Sequence, residues 1–352
     1  MKNQTTSAFQ EKIMRRCFDL ARLAGKNTKH NPQVGAVIVH NKKIIGEGYY
    51  EKYGGKHAEI NALESVSDND LKILTESEIY VSLEPCCIHG KTPPCTEALI
   101  ASGIPRVIIS TLDPNTAING KGVQQLKKNG ITVEHGILEK KGRHLIAKFK
   151  ANNLEKRPYV ILKFAQSKDG YIGQSDHPVA ITDVFSKTLS HKWRSEVESI
   201  LVGTNTATID NPKLTNRLYS GSSPLRLTID LQEKIPKTHE LLSDDNMSWI
   251  FTQKKDYTTS GKNKIILQVP NKELLIDQIL QELYDADILS LIVEGGSKLL
   301  QSFIDAEKWD EARVFCAPKY LGSGTKAPLL EFKYSERIKL MEDELFLGYR
   351  EA

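Results

Sequence analysis

No stretch of this chain is apolar for long enough to cross a bilayer. Its longest apolar pieces are short, such as Val34 to Val39 and Ile288 to Val293, so no membrane partner is expected. The opening residues, MKNQTTSAFQEKIMRRC, lack the continuous apolar core of a secretory leader, which points to the cytoplasm and to reduced thiols. Cysteine is scarce, with 5 in the chain, and disulfides are a poor explanation for them. Blocks of Lys and Arg are also missing: the formal charge is only +4 and the basic residues are scattered. That pattern disfavours a nucleic-acid partner and suits small anionic ligands better. Finally, no Gly-x-Gly-x-x-Gly run follows a strand-like segment, which argues against a Rossmann domain.

What is present is an ordinary globular composition, 39% hydrophobic and 26% charged, spread over 352 residues. That length exceeds what one hydrophobic core usually supports, so two domains are expected. Helical spacing covers Phe9 to Ala24. Strands are predicted at Val34 to Val39 and Ile44 to Gly48, joined by a turn at His40 to Lys43, and a helix at His57 to Ser65. A strand at Glu78 to Leu83, a helix at Thr96 to Ser102 and a strand at Arg106 to Ser110 complete an α/β alternation. The polar segment from Lys148 to Pro158 separates this half from the next, giving domains at 1–150 and 157–352. In the second half, strands are predicted at Tyr159 to Ala165, Ser199 to Gly203, Leu225 to Ile229, Ile288 to Val293 and Ala312 to Ala317. Helices are predicted at Thr182 to Glu198, Lys272 to Tyr284 and Ser297 to Ala306. No internal repeat relates the two halves.

Three cysteines, Cys86, Cys87 and Cys95, crowd into one segment, whereas Cys17 and Cys316 stand alone on apolar-rich stretches as small buried residues would. Upstream of the group lies His57-Ala58-Glu59. One imidazole and two thiolates suit tetrahedral Zn²⁺, and the lack of an obvious fourth protein ligand leaves a position for water, as a catalytic site requires. His57, Cys86 and Cys95 are the candidate ligands; Cys87 is an alternative to Cys86, which we prefer because it directly follows Pro85 at the end of a predicted strand. Glu59 is the candidate catalytic proton carrier: deaminating an aminopyrimidine requires hydroxide addition, protonation of a ring nitrogen and protonation of the departing amine, and one carboxyl group can serve all three. This ligand set with a non-ligand Glu is an established pattern of zinc deaminases. The competing reading is a structural zinc site without catalysis, or three unrelated buried residues.

The spacing between the two ligand cysteines is longer than the Cys-x-x-Cys loop usual in nucleoside and nucleic-acid deaminases. The runs HNPQVGAVIV, GGKHAEINAL, LEPCCIHGKTPPC and TLDPNTAINGKG resemble the deaminase domain of the bifunctional riboflavin biosynthesis deaminase/reductase. KFAQSKDG, HKWRSEVESILVGTNTATIDNPKLTNR and LIVEGGSKLL resemble its reductase domain. The resemblance implies a cytidine-deaminase-like α/β/α sandwich followed by a dihydrofolate-reductase-like α/β domain. It implies zinc-dependent hydrolytic deamination of 2,5-diamino-6-(5-phosphoribosylamino)pyrimidin-4(3H)-one, then NADPH-dependent reduction of the ribosyl group to ribityl. By matching positions, Asn31 and Lys91 resemble deaminase substrate contacts. The family usually has a His two residues after the first zinc cysteine; here that place is Ile88, with His89 next.

In the second half, Val293-Glu294-Gly295-Gly296-Ser297 leads from a predicted strand into a helix. Small residues there let backbone N–H groups approach a phosphate, although a tight turn without ligand has the same sequence. The resemblance implies NADPH contacts at Ala165, Thr206, Asp210, Gly296, Ser297, Lys298, Leu299, Leu300, Gln301 and Ser302, and substrate contacts at Lys163, Arg194, Leu214, Arg217 and Glu294. Arginine suits phosphorylated ligands because guanidinium binds them in a bidentate fork. An aromatic found in some relatives is Ala180 here. The substrate is thus expected to be a small phosphoribosylaminopyrimidine, and the assembly a homo-oligomer.

Overall fold

A strand covered on both faces reads as a continuous apolar run. GAVIVH, residues Gly35–His40, does so, with its first five positions buried. The computed structural model of the chain describes residues 7–90, 92–174, 177–261, 264–268, 274–331 and 334–350. Internal packing divides it into two compact units, residues 1–155 and 156–352.

The first unit runs α1 (Ala8–Arg22), β1 (Gly35–His40), β2 (Lys43–Tyr49), α2 (Ala58–Glu64), β3 (Glu78–Leu83), α3 (Cys95–Ala101), β4 (Arg106–Thr111), α4 (Lys121–Lys128), β5 (Thr132–His135), α5 (Glu139–Leu145) and α6 (Ala147–Asn153). One sheet, in the order β2-β1-β3-β4-β5, carries it. The β1–β2 hairpin turns at Asn41 and Lys42, both with positive φ, 46° and 64°, the two-residue geometry that matches strand twist. Ile13, Met14, Cys17 and Phe18 of α1 meet Val37, Tyr80 and Ile108 on one face of the sheet. Ala58 and Ala62 of α2, Leu99 of α3 and Leu126 of α4 meet Ile38, Val81 and Ile109 on the other. This is the expected α/β/α sandwich. Helix α2 lies unusually close to β2, because a Cβ on Gly48 would stand 2.3 Å from the Ala62 nitrogen. The polar segment from Lys148 begins as helix α6 and is not all linker: Ala151 and Asn152 are buried, and Asn153 Nδ2 donates to the His30 carbonyl at 2.6 Å. That tertiary anchor has no trace in local composition.

The second unit runs β6 (Tyr159–Gln166), β7 (Tyr171–Gly173), α7 (Val184–Glu196), β8 (Ser199–Val202), α8 (Thr204–Asp210), β9 (Leu225–Ile229), α9 (Glu240–Ser243), β10 (Ser248–Thr252), β11 (Lys264–Gln268), α10 (Leu275–Asp285), β12 (Ser290–Glu294), α11 (Ser297–Asp305), β13 (Glu311–Cys316), β14 (Thr325–Lys326), β15 (Tyr334–Leu340) and β16 (Asp343–Tyr349). Its main sheet has the order β11-β10-β9-β8-β12-β6-β13-β16-β15. The strands from β11 to β13 are parallel, and β16 and β15 add antiparallel at the edge. Asp183 caps α7, accepting from Ser186 N, which starts the helix slightly later than the periodicity predicts. Strand β10 and the β15–β16 hairpin were not anticipated. All five residues of β10 are buried, but its apolar run is only Trp249 to Phe251, between polar Ser248 and Thr252.

Candidate functional site

In the first unit the candidate ligands meet where two helices begin. His57 is the N-cap of α2, Cys95 is the first residue of α3, and Cys86 lies just beyond the end of β3. Helix N-termini favour negative charge, and the first N–H of α3, that of Cys95, donates to the Cys86 sulfur at 3.3 Å. His57 Nδ1 is 3.2 Å from Cys95 Sγ and 3.5 Å from Cys86 Sγ. Ligand atoms of the three residues all lie within 4.8 Å of one another. A tetrahedral Zn²⁺ with bonds of about 2.0–2.3 Å needs neighbouring ligand atoms roughly 3.3–3.8 Å apart, so the donor set and its spacing fit the ion. It is Cys86, and not Cys87, whose sulfur joins the group. The Cys86 thiol is pulled well below the ordinary range because the Cys95 side chain, His57 and the Cys95 N–H all donate to its sulfur.

Glu59 stands in the first turn of α2 and is 4% exposed. Burial, and then the Cys86 sulfur, push its carboxyl up to about 7, against the pull of His57. A carboxyl poised there changes protonation state readily at neutral pH. Asn31 donates Nδ2 to the Tyr50 hydroxyl at 2.7 Å, and the Tyr50 ring meets His57 edge-on at 5.5 Å. Lys91 lies outside the described residues. His89 points to the surface, its Nε2 3.2 Å from Glu97 Oε1, and Ile88 is exposed.

Sequence reasoning passed over two supports of this site. Tyr50 fixes the Asn31 amide, a role that nothing in its local sequence marks. Glu84 is 3% exposed and accepts the N–H groups of Asp113, Gly120 and Val123, at 3.2, 2.9 and 3.1 Å, bracing the segment that carries Cys86. A carboxylate between Leu83 and Pro85 in an otherwise apolar run was the available signal.

In the second unit, the expected positions gather near the carboxyl ends of neighbouring parallel strands, the usual ligand crevice of such sheets. Glu294 ends β12, Lys163 and Ala165 lie late in β6, and Gly203 follows β8. Arg194 on α7 donates to both Glu294 oxygens, and Lys163 Nζ lies 4.0 Å from Oε2. Burial pushes the Glu294 carboxyl up, but Arg194 and then Lys163 outweigh it and hold it at about 2. Burial pushes the Lys163 amine down. Arg194 is therefore no solvated helix cation. Its helix is fixed by Trp193, whose ring stacks on Phe315 at 5.2 Å under the guanidinium of Arg313.

Gly295 and Gly296 both have positive φ, 79° and 78°, and precede α11. A Cβ on Gly295 would stand 3.0 Å from Thr206 Cγ2, and one on Gly296 3.3 Å from Thr206 Oγ1. The turn thus forms a bare backbone cradle against α8, and first-turn N–H groups of α11 have no intrahelical partners, which fits a phosphate of a dinucleotide. Within α11 the Leu300 side chain belongs to the core, the Gln301 amide pairs with Asp305 and the Leu329 backbone, and Ser302 Oγ returns to the Lys298 carbonyl. Leu299 packs on the edge of that core and against Gly203, and Lys298 is exposed. Asp210 closes α8 at its exposed end. Leu214 is buried with φ 55°, and Arg217 is exposed, its Nη1 donating to Thr215 Oγ1 at 2.8 Å. Asp169 is occupied in bracing a turn, accepting from Leu321 N and Gly322 N.

Residues 7–111 match the family described as the cytidine and deoxycytidylate deaminase zinc-binding region. Residues 158–343 match the RibD C-terminal domain. The chain is 37% identical to the riboflavin biosynthesis protein RibD of Aquifex aeolicus over 315 residues, covering 88% of this chain and 87% of the relative. It is 32% identical to the protein of that name from Escherichia coli, covering 90% and 89%. Among solved structures it is similar to a diaminohydroxyphosphoribosylaminopyrimidine deaminase/5-amino-6-(5-phosphoribosylamino)uracil reductase from Thermotoga maritima, with 33% identity, a TM-score of 0.79, and 97% and 98% of the two chains covered. It also resembles RibD of Acinetobacter baumannii, at 29% identity and a TM-score of 0.75.

Proposed function

The chain belongs to the RibD family of riboflavin biosynthesis, a zinc deaminase domain followed by a reductase domain, and on that premise we propose which compounds it converts and which residues do so. The substrate of the first unit is 2,5-diamino-6-(5-phosphoribosylamino)pyrimidin-4(3H)-one, which loses its 2-amino group by hydrolysis. The second unit then reduces the ribosyl group of the product to ribityl with NADPH. The observation that carries the reading is Glu59, buried in the first turn of α2 beside the His57, Cys86 and Cys95 cluster.

Zn²⁺ held by His57, Cys86 and Cys95 supplies Lewis acidity that makes hydroxide available at neutral pH. Glu59 takes one proton from the attacking water and passes it to the ring nitrogen, then takes the second from the new C2 hydroxyl and delivers it to the departing amine, so that the C–N bond breaks, the carbonyl forms and ammonia leaves. Asn31, held by Tyr50, binds a polar edge of the substrate, and Lys91 its phosphate.

NADPH supplies hydride to the second step. Gly296, Ser297, Lys298 and Leu299 offer backbone N–H groups to a cofactor phosphate, with Thr206 and Asp210 of α8 and Ala165 of β6 along its path. Leu300, Gln301 and Ser302 complete that stretch of α11 and act through the helix they build. Arg217 and Lys163 contact the phosphorylated substrate, Leu214 packs against it, and Glu294, oriented by Arg194, accepts from its hydroxyl groups. Alignment of donor and acceptor carbons is then the main catalytic requirement.

Cytoplasmic location and assembly as a homo-oligomer belong to the same reading. The five free cysteines suit a reducing compartment, and exposed Val184 and Phe185 on α7 suit burial by a second copy. Fractionation and solution mass measurement test these two points. The central experiment incubates purified protein with the diaminopyrimidine phosphoriboside, with and without NADPH. Mass analysis should find exchange of an amine for oxygen in both cases and two added hydrogens only with NADPH; an unchanged substrate overturns the reading.

A further inference from the structure

The segment from Lys213 to Arg217 has neither helix nor strand to hold it, yet its backbone is strained. Leu214 lies in the left-handed region at φ 55°. A β-carbon-bearing residue stays there only when its surroundings over-determine it. Three side chains do so. Arg226, 1% exposed on β9, donates Nη1 to the Lys213 carbonyl at 3.2 Å, while its other donors engage Asp244 and the carbonyls of Asn246 and Met247. Arg194 donates Nη1 to the Thr215 carbonyl at 3.3 Å. His191, three residues earlier on the same face of α7 and 6% exposed, accepts the Arg217 N–H at Nδ1 at 2.9 Å.

We propose that His191 is a positioning residue for the reductase, fixing the backbone from which Arg217 reaches the phosphorylated substrate. The inference rests on the reading of Arg217 as a substrate contact. An imidazole accepts at Nδ1 only while that nitrogen is unprotonated, with its proton on Nε2. The surroundings maintain this form. Burial, then Arg194 on its own helix and Arg217 on the facing loop, hold His191 below its ordinary value, while Glu294 at the end of β12 and the Asn216 side chain pull the other way. Protonation at low pH replaces the acceptor by a second donor and releases the Arg217 backbone. The exposed guanidinium, which returns to Thr215 Oγ1 in the same segment, then loses its aim.

Two variants separate this from simple packing. His191→Leu keeps bulk and removes the acceptor; His191→Asn places Oδ1 where Nδ1 stood and does not titrate. At pH 8, His191→Leu should raise KM for the deaminated phosphoriboside roughly tenfold, the scale of a lost buried partner, with NADPH affinity and deaminase rate unchanged. Calorimetric affinity for the same compound without NADPH should fall in parallel. His191→Asn should stay within about twofold of wild type, the residual expected when an acceptor is replaced in kind. Between pH 7.5 and 5.5 the wild-type KM should rise more steeply than that of His191→Asn, which shares any titration of the substrate phosphate. An unchanged KM in His191→Leu, or a loss in His191→Asn as large as in His191→Leu, overturns the proposal. Should His191→Leu fail to fold, nitrogen NMR of the wild-type imidazole decides: an unprotonated Nδ1 at pH 7.5 supports the role, and a protonated one sinks it. Arg217→Ala keeps the two levels apart. If it leaves KM unaltered, the parent reading fails; if it raises KM while His191→Leu does not, only the positioning role falls.

Discussion

Arg194 grips Glu294 with two donors, Nε to Oε1 at 3.2 Å and Nη2 to Oε2 at 2.7 Å, although 100 residues separate them in sequence. The pair is mostly buried, with side-chain exposures of 14% and 9%. It joins α7 to the end of β12, just before the glycine turn.

Removing one member of a buried pair strands the other. Arg194→Met should destabilise the second unit by about 3–5 kcal/mol. All three tryptophans, Trp193, Trp249 and Trp309, lie in that unit, so tryptophan fluorescence during urea unfolding reads it alone. The pH dependence follows from the Glu294 carboxyl, held at about 2 against an ordinary 4.5. A depressed carboxyl contributes stability that is present above about pH 4.5 and is lost as pH falls toward 2. Wild type should lose stability across that window, and Arg194→Met should lose much less there. Parallel curves would refute the assignment.

Glu59→Gln should bind as much zinc as wild type, because the carboxyl is not a ligand, and lose deamination by about 10²–10⁴-fold. Reduction of separately supplied deaminated substrate should continue at the wild-type rate. Ammonia release together with metal content measures both; retained deamination would return the cluster to a purely structural role.

The two adjacent cysteines should behave differently. Cys86→Ser should lower zinc content and abolish ammonia release, whereas Cys87→Ser should leave both near wild type. Treating wild type with a strong chelator should abolish deamination and spare NADPH oxidation, and added Zn²⁺ should restore it. Equal effects of the two substitutions would mean that the sulfur next to His57 at 3.5 Å is not the ligand.

Gly295→Ala tests the cofactor cradle. Its φ of 79° and the 3.0 Å approach of a Cβ to Thr206 predict strain of about 1 kcal/mol or more and a displaced turn. The expected result is a several-fold rise in KM for NADPH, the order that about 1 kcal/mol implies, with a smaller change for the pyrimidine substrate. A larger change for the pyrimidine would put the turn on the wrong side of the site.

The zinc trio was readable because each ligand falls at the boundary of an element whose periodicity is plain: His57 before α2, Cys86 after β3, Cys95 opening α3. Short apolar runs likewise mark most strands of both sheets. They miss β10, where only Trp249 to Phe251 are consecutive apolar residues, and the β15–β16 hairpin, whose place depends on pairing with β13.

Residue types and their spacing alone nominated His57, a cysteine of the Cys86-Cys87 pair, Cys95 and Glu59, and marked a glycine turn without a Rossmann fingerprint, since those are local chemistry written in short runs. Only the tertiary structure decided that Arg194 is a buried partner and not a solvated helix cation, that Arg226 and His191 clasp the loop bearing Leu214 and Arg217, and that Tyr50 holds Asn31. Each of these depends on which side chains distant segments bring within about 3 Å, the length of a hydrogen bond, and no local pattern encodes that distance.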